Sequence, residues 1–137
     1  MNDQNIEREW HLIDVKDQIL GRASTQIASL LIGKHKVNTV PNLDSGDFVV
    51  VINSSEIKLT RGKEKRKMYY KHSGFPGGLK ERRFDELMEK DPTAAIKLAV
   101  IKMLPKNKLR DGRMARLFVY PEADHKHEAQ KPKEFKL

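Results

Sequence analysis

The chain has 137 residues, no cysteine and a formal net charge of +8. This length suffices for one domain with its own core, and the lack of cysteine excludes disulfide frameworks, zinc knuckles, iron–sulfur clusters and thiol catalysis. The longest apolar runs, 28–32 and 48–52, are far shorter than the ~20 residues that span a bilayer. The first nine residues lack the apolar region of a signal peptide, so we expect a cytoplasmic protein without a membrane partner.

The positive charge is concentrated in two segments. Residues 58–83, here called the first basic block, carry ten Lys and Arg against two Asp and Glu. Residues 102–116, the second basic block, carry six against one, and the rest of the chain is mildly acidic. Separated blocks of one sign indicate a polyanionic partner that binds at a defined place.

The first half of the chain predicts a β-strand, an α-helix and a second β-strand. Residues 10–15 form an apolar strand, and a turn through 16–18 leads to a helix with apolar residues at helical spacing up to Leu31 and a stop at Gly33. Residues 44–47 (Asp-Ser-Gly-Asp) predict a turn before the β-branched run Phe48–Ile52, which is typical of a buried parallel strand. The order predicts a βαβ unit.

The second half predicts shorter elements. Weak strands are expected at 57–59 and 67–70, a helix at 80–90, and another helix from 91–93 to Pro105. A short basic helix at 109–116 and a last strand at 117–120 follow. We therefore predict a single α/β domain over residues 10–120, between a flexible N-terminus (1–9) and an extended C-terminal tail (121–137).

A small nucleotide-dependent enzyme is the alternative that the βαβ opening suggests. Only Gly21 stands where a dinucleotide fold needs three glycines, and Gly33-Lys34 lacks both the upstream glycine and the following Ser or Thr of a phosphate loop. Gly21 is more simply a turn or close-packing glycine, and Arg22 opposes the helix dipole, which hints at an anion nearby. The sequence thus predicts no enzyme, no cofactor and no small-molecule substrate.

No metal site is expected either. His125 and His127 lie on one side of a strand at their spacing, but Lys126 between them repels a cation. Asp44 and Asp47 are interpreted as turn residues, and no set of nucleophile, base and acid stands out.

The first basic block combines positive charge with aromatic and glycine residues, as RNA-binding surfaces do. Glycine lets the backbone approach phosphates, and aromatic rings stack on unpaired bases. A flexible surface loop with core aromatics is the structural alternative. The candidate RNA-binding residues of this block are Lys58, Arg61, Lys63, Lys65, Arg66, Lys67, Tyr70, Lys71, His72, Ser73, Gly74, Phe75, Gly77, Gly78, Lys80, Arg82 and Arg83.

The second basic block is expected to contact phosphates, although a solvated helix is the alternative. Its candidate RNA-binding residues are Lys106, Asn107, Lys108, Arg110, Arg113 and Arg116. Three further candidates flank the first predicted helix: Arg22 at its start, and Lys34 and Lys36 after its end. A free DNA-binding or regulatory RNA-binding protein would share this charge pattern.

The order and spacing of many short motifs resemble the universal family of large-subunit ribosomal protein thirteen, in its bacterial form. The match runs from Trp10 to about Pro132. It includes Leu20-Gly21-Arg22-Ala23-Ser24, Gly33-Lys34, Gly46-Asp47, Lys58-Leu59-Thr60, His72-Ser73-Gly74, Pro76-Gly77-Gly78-Leu79, Met103-Leu104-Pro105-Lys106-Asn107 and Val119-Tyr120. The chain departs from the family pattern at Arg61-Gly62, Arg110 to Gly112, Pro121-Glu122 and Lys126.

The resemblance implies a three-layer α/β/α domain around a four-stranded, mainly parallel sheet. It also implies a structural role on large-subunit ribosomal RNA, beside neighbouring ribosomal proteins, with early assembly of the subunit and no catalysis. By position it places the contacts at Arg22, Lys34, the first basic block around 72–78, and Lys106–Lys108 with the basic residues after them.

Overall fold

A computed structural model of the chain describes residues 6–37, 39–60 and 67–137. Its elements are β1 (Trp10–Asp14), α1 (Leu20–Ile32), β2 (Phe48–Ile52), β3 (Met68–His72), β4 (Leu79–Arg83), α2 (Phe84–Lys90), α3 (Ala94–Met103), α4 (Arg110–Ala115), β5 (Leu117–Val119) and β6 (Lys133–Glu134). Short 3-10 helices lie at Ser54–Glu56 and Glu128–Gln130. Among the residues that the structure describes, no helix is long and apolar enough to cross a membrane.

The main sheet has four parallel strands in the order β5-β2-β1-β6. Strands β1 and β2 run in register from Trp10 opposite Phe48 to Asp14 opposite Ile52. The three central valines of β2 are fully buried, as expected for a parallel strand covered on both faces. These strands and the helices form one compact α/β domain, which confirms the predicted fold class.

Helix α1 packs on one face of this sheet. Its buried side chains, which include Ile27 and Leu31, join Val49 and Val51 in the hydrophobic core, and α3 packs against α1 through Ile96 and Val100. Gly33 ends the helix in the left-handed conformation (φ 90°), and its N–H donates to the Ser29 carbonyl, as the sequence predicts.

The opposite face carries an aromatic stack. Trp10 lies parallel to Phe48 at 4.4 Å between ring centroids and to Phe118 at 5.7 Å. His127 covers Phe118 at 4.4 Å, and its Nε2 lies 2.8 Å from the Tyr120 hydroxyl. Burial and the charge of His125 lower the pKa of His127. The segment after Tyr120 therefore packs onto the sheet.

Four predicted elements differ in the structure. Residues 79–83 form β4, because they pair with β3, and the predicted helix at 80–90 begins only at Phe84. Residues 57–59 form no strand; a single bridge joins Lys58 to Ile19. The strand at 117–120 is not the last, since Lys133 and Glu134 pair with β1. The turn predicted at 44–47 lies earlier, where the Leu43 N–H donates to the Val40 carbonyl.

Candidate nucleic-acid interface

Strands β3 and β4 form an exposed antiparallel hairpin within the first basic block. Directly opposite residues share a face, so Lys71 lies opposite Lys80, and Tyr69 lies opposite Arg82 two pairs further from the turn, on the same face. On the other face, Glu81 lies opposite Tyr70. One face of the hairpin thus carries three cationic side chains and no carboxylate. Like charges directly opposite each other destabilise a hairpin, unless an anion lies between them.

The tip of the hairpin is a glycine-rich turn. Ser73 N–H donates to the Gly78 carbonyl, and Gly78 N–H donates to that of Phe75. Gly74 (φ 86°) and Gly77 (φ 72°) adopt the left-handed conformation, and the space where their Cβ atoms would lie is open. Glycine is required here for the turn itself, and it also leaves backbone accessible to a ligand.

Three large apolar side chains are exposed on the same hairpin: Tyr70 (64% exposed), Phe75 (72%) and Leu79 (54%). Tyr69 instead packs against the core, and burial raises the pKa of its hydroxyl. The aromatic residues of the block therefore divide into one that anchors the hairpin and two that face solvent, where rings can stack on bases.

Other predicted contact residues lie at the surface. Arg22 in the first turn of α1, Lys34 after its end, and Lys106, Asn107 and Lys108 are exposed, and Arg110 is half-buried. Asn107 accepts the Leu109 N–H through its side chain and so shapes the loop before α4. Gly21 is exposed with open space around it, so it is not a close-packing glycine.

Some predicted contact residues already have acidic partners. Lys58 pairs with Asp17 at 3.0 Å, and Arg83 pairs with Glu86 at 3.2 Å. Lys67 lies over the Tyr69 ring at 5.6 Å. Residues Arg61, Lys63, Lys65 and Arg66 lie outside the described residues, so these predictions stay as they stand.

Arg113 and Arg116 belong to an interior ion cluster. Both guanidinium groups are buried against Asp44, and Arg116 donates to both carboxylate oxygens of Asp44 and to the Leu31 carbonyl. Burial alone would raise the pKa of Asp44, but the hydrogen bonds and charge of Arg116, with Arg8 and Arg113, lower it overall. The two arginines therefore hold the 44–47 segment against α1 and lie away from the solvent-facing surface.

Lys36 is likewise engaged internally, at Asp47. The fully buried Asp47 carboxylate accepts from Lys36 Nζ at 2.7 Å and from the Glu9 N–H at 3.2 Å through one oxygen. Its other oxygen lies 2.8 Å from the Nε2 atoms of both His11 and His35. Burial would raise the pKa of Asp47, yet these hydrogen bonds, with that of Lys36 first, lower it to about 2.

Sequence reasoning missed both acidic clusters. Asp44 and Asp47 follow the pattern of turn residues, and nothing in the spacing of His11, His35 and Asp47 indicates that β1, the end of α1 and β2 bring them together. One clue was present in the sequence: both aspartates lie near Gly46, and the close approach of that segment to α1 requires a glycine there.

An exposed hairpin with three cationic side chains on one face is the electrostatic footprint expected of a nucleic-acid-binding protein. Comparison with known proteins then identifies the family. Residues 8–126 match the family model described as Ribosomal protein L13, and the chain belongs to this family.

Individual relatives match over nearly the whole chain. Proteins named "Large ribosomal subunit protein uL13" are 48% identical in Kocuria rhizophila (97% of this chain and 90% of the relative), 50% in Salinispora arenicola (96% and 90%) and 50% in Petrotoga mobilis (98% and 89%). The resemblance inferred from the short motifs is thereby confirmed.

Proposed function

We propose that the chain is a structural, non-enzymatic constituent of the large ribosomal subunit in the cytoplasm, and that it binds large-subunit ribosomal RNA through the β3–β4 hairpin. The family and the names of the relatives support the ribosomal role. The observation that carries RNA binding is the pairing of Lys71 with Lys80 across the hairpin. Two lysines held opposite each other form a site that a phosphate completes.

The mechanism combines charge with shape. Lys71, Lys80 and Arg82 neutralise phosphates, the open glycine tip lets backbone N–H groups approach the RNA, and Tyr70 and Phe75 stack on unpaired bases. The hairpin is anchored by Tyr69 in the core, so its charges are displayed at a fixed position relative to the sheet.

We propose a second contact through the exposed loop Lys106–Lys108, together with Arg110, Arg22 and Lys34. These residues need no rearrangement to reach phosphate because they already face solvent or lie at its edge. One compact domain that binds RNA in several places, beside neighbouring ribosomal proteins, would hold RNA segments together early in subunit assembly. Reconstitution of the subunit without this protein should then stall before late-binding proteins join.

The salt dependence of RNA binding tests the hairpin. We expect the double variant Lys71→Ala/Lys80→Ala to bind large-subunit ribosomal RNA more weakly in filter binding. The slope of log K against log salt should fall in magnitude by about 1 to 2, since each lost phosphate contact removes roughly 0.7 to 0.9. The fold should be retained, because the substitution also removes a repulsive pair.

The matched control is Lys126→Ala/Lys136→Ala, which removes the same charge from exposed positions on the C-terminal segment. It should leave the slope near that of the parent. An equal fall in both double variants would mean that net charge alone drives binding, and an unchanged slope in the hairpin variant would exclude the hairpin from phosphate contact. Co-sedimentation with the large subunit at moderate salt separates a ribosomal protein from a free DNA-binding or regulatory RNA-binding protein.

A further inference from the structure

Three potential metal-ligand atoms converge on one point beside the main sheet. His11 Nε2 and His35 Nε2 each lie 2.8 Å from the same Oδ2 atom of Asp47, and all three atoms lie within 4.8 Å of one another. The two imidazole rings meet edge to face, with centroids 5.9 Å apart. We call these three residues the His-His-Asp cluster.

The backbone fixes this cluster on rigid elements. His11 belongs to β1, and Asp47 precedes β2, with its N–H donating to the Leu30 carbonyl near the end of α1. His35 follows the cap residue Gly33. The Asp47 and His11 side chains are buried (0% and 11% exposed), whereas that of His35 is 36% exposed. The cluster is therefore held on two sides and open to solvent on the third.

We propose that the His-His-Asp cluster binds a divalent transition-metal ion of the zinc type. Two imidazole nitrogens and one carboxylate oxygen, with a fourth position open to water, are a donor set that Zn²⁺, Co²⁺ and Ni²⁺ accept, while Mg²⁺ and Ca²⁺ prefer oxygen alone. Metal–ligand bonds of about 2.0 to 2.2 Å place tetrahedral ligands roughly 3.3 Å apart. Both His–Asp47 distances of 2.8 Å would therefore lengthen by roughly half an ångström on binding, so the buried His11 side adjusts together with the exposed His35 ring.

Lys36 supports the carboxylate from outside. Its Nζ donates to Oδ1 of Asp47 at 2.7 Å and to the Glu7 carbonyl at 2.6 Å, so it leaves Oδ2 to the two histidines. The Glu9 N–H also binds Oδ1. Hydrogen bonds to the non-coordinating oxygen of a ligating carboxylate orient it toward the metal. The positive charge of Lys36 opposes the cation, so binding needs all three ligand atoms of the cluster.

Binding of Co²⁺ and Zn²⁺ to the untagged, full-length protein tests the proposal. We expect one Co²⁺ per chain with the visible absorption of a low-symmetry nitrogen–oxygen site, displaced by Zn²⁺ and unaffected by excess Mg²⁺. His35→Gln should weaken the affinity at least about tenfold, since glutamine keeps an N–H donor for Asp47 but is a poor metal ligand.

His72→Gln, in the exposed hairpin, is the matched control and should leave both stoichiometry and affinity unchanged. His11→Gln gives a second loss of affinity from the buried side, with the fold of each variant verified by circular dichroism. A parent protein that takes up neither ion, or a His35→Gln variant that binds as tightly as the parent, would overturn the proposal. At the same Zn²⁺ concentration, the melting temperature should rise in the parent and in His72→Gln and rise distinctly less in His35→Gln.

Discussion

At the scale of single residues, Gly46 is the glycine, among the described residues, at which an added Cβ would meet the nearest atom. A Cβ atom there would overlap the Leu31 carbonyl and lie 2.8 Å from Nη2 of Arg116. We expect Gly46→Ala to lower the free energy of unfolding by about 3 kcal/mol or more, because α1 and the segment that leads into β2 would have to move apart. Urea denaturation of the purified protein measures it.

Gly21→Ala is the control for this substitution. Gly21 lies in the first turn of α1, and nothing beyond the backbone of that helix approaches the position of its missing Cβ within 4 Å. Since alanine favours a helix over glycine, this variant should be as stable as the parent or more stable by up to about 1 kcal/mol. Equal losses in the two variants would contradict the role given to close packing at Gly46.

Asp44 makes stability depend on pH. Burial would raise the pKa of its carboxyl, but Arg116, Arg8 and Arg113 lower it below the ordinary 3.8. A carboxyl with a lowered folded-state pKa contributes stability that is complete above the unfolded value and is lost as the pH falls below about 3.8 through the folded value. The charged Asp44 carboxylate therefore stabilises the fold at neutral pH, and this stabilisation disappears in strong acid.

Asp44→Asn should therefore cost about 3 to 5 kcal/mol at pH 7, since it leaves two buried guanidinium groups without their anion. The difference from the parent should shrink when urea unfolding is repeated at successively lower pH below 3.8. Asp124→Asn, at an exposed position, serves as the comparison and should change stability little at any pH. A cost for Asp44→Asn that persists undiminished in acid would rule out the ion cluster as its cause.

At the scale of elements, β6 closes the sheet at its β1 edge. Lys133 and Glu134 pair with His11 and Leu12, the Phe135 N–H donates to the Leu12 carbonyl at 2.8 Å, and the Phe135 ring meets His11 edge to face. We expect removal of residues 133–137 to lower the melting temperature by several degrees, because β1 loses a partner and the core loses an aromatic cover. Differential scanning calorimetry measures the loss.

Removal of Lys136 and Leu137 alone gives the control for this truncation. These two residues follow the paired segment and are exposed, so the shorter deletion should leave the melting temperature within about one degree of the parent. If the longer deletion has no larger effect than the shorter one, the β6 pairing contributes nothing to stability.

Elements with a strong local pattern were predictable, and those fixed by distant partners were not. The β-branched run Phe48–Ile52 and the apolar spacing before Gly33 indicate a strand and a helix from neighbouring residues alone, and both match the observed β2 and α1. The charged segment Leu79–Arg83 has no strand pattern of its own and becomes β4 only because β3 pairs with it. For the same reason β6, two polar residues long, escaped prediction.

At the scale of the whole molecule, charge is divided between a surface and an interior. Lysines and arginines look alike in sequence, but Lys71 and Lys80 face solvent while Arg113 and Arg116 serve the fold. The sequence indicated the first basic block because its charges are concentrated in one segment, but it predicted a helix where β4 completes the hairpin. It could not separate exposed from buried cations in the second block, since the carboxylate that decides this, Asp44, lies more than sixty positions away in the chain.

The strand order has a consequence for synthesis. Because β1 lies between β2 and β6, a growing chain can pair β1 with β2 long before residues 133–134 leave the ribosome. Throughout that interval the outer edge of β1 offers unpaired backbone groups beside the aromatic side chain of Trp10. A nascent chain in this state has the kind of open sheet edge to which chaperones and other extended segments attach, until its own C-terminal strand covers it.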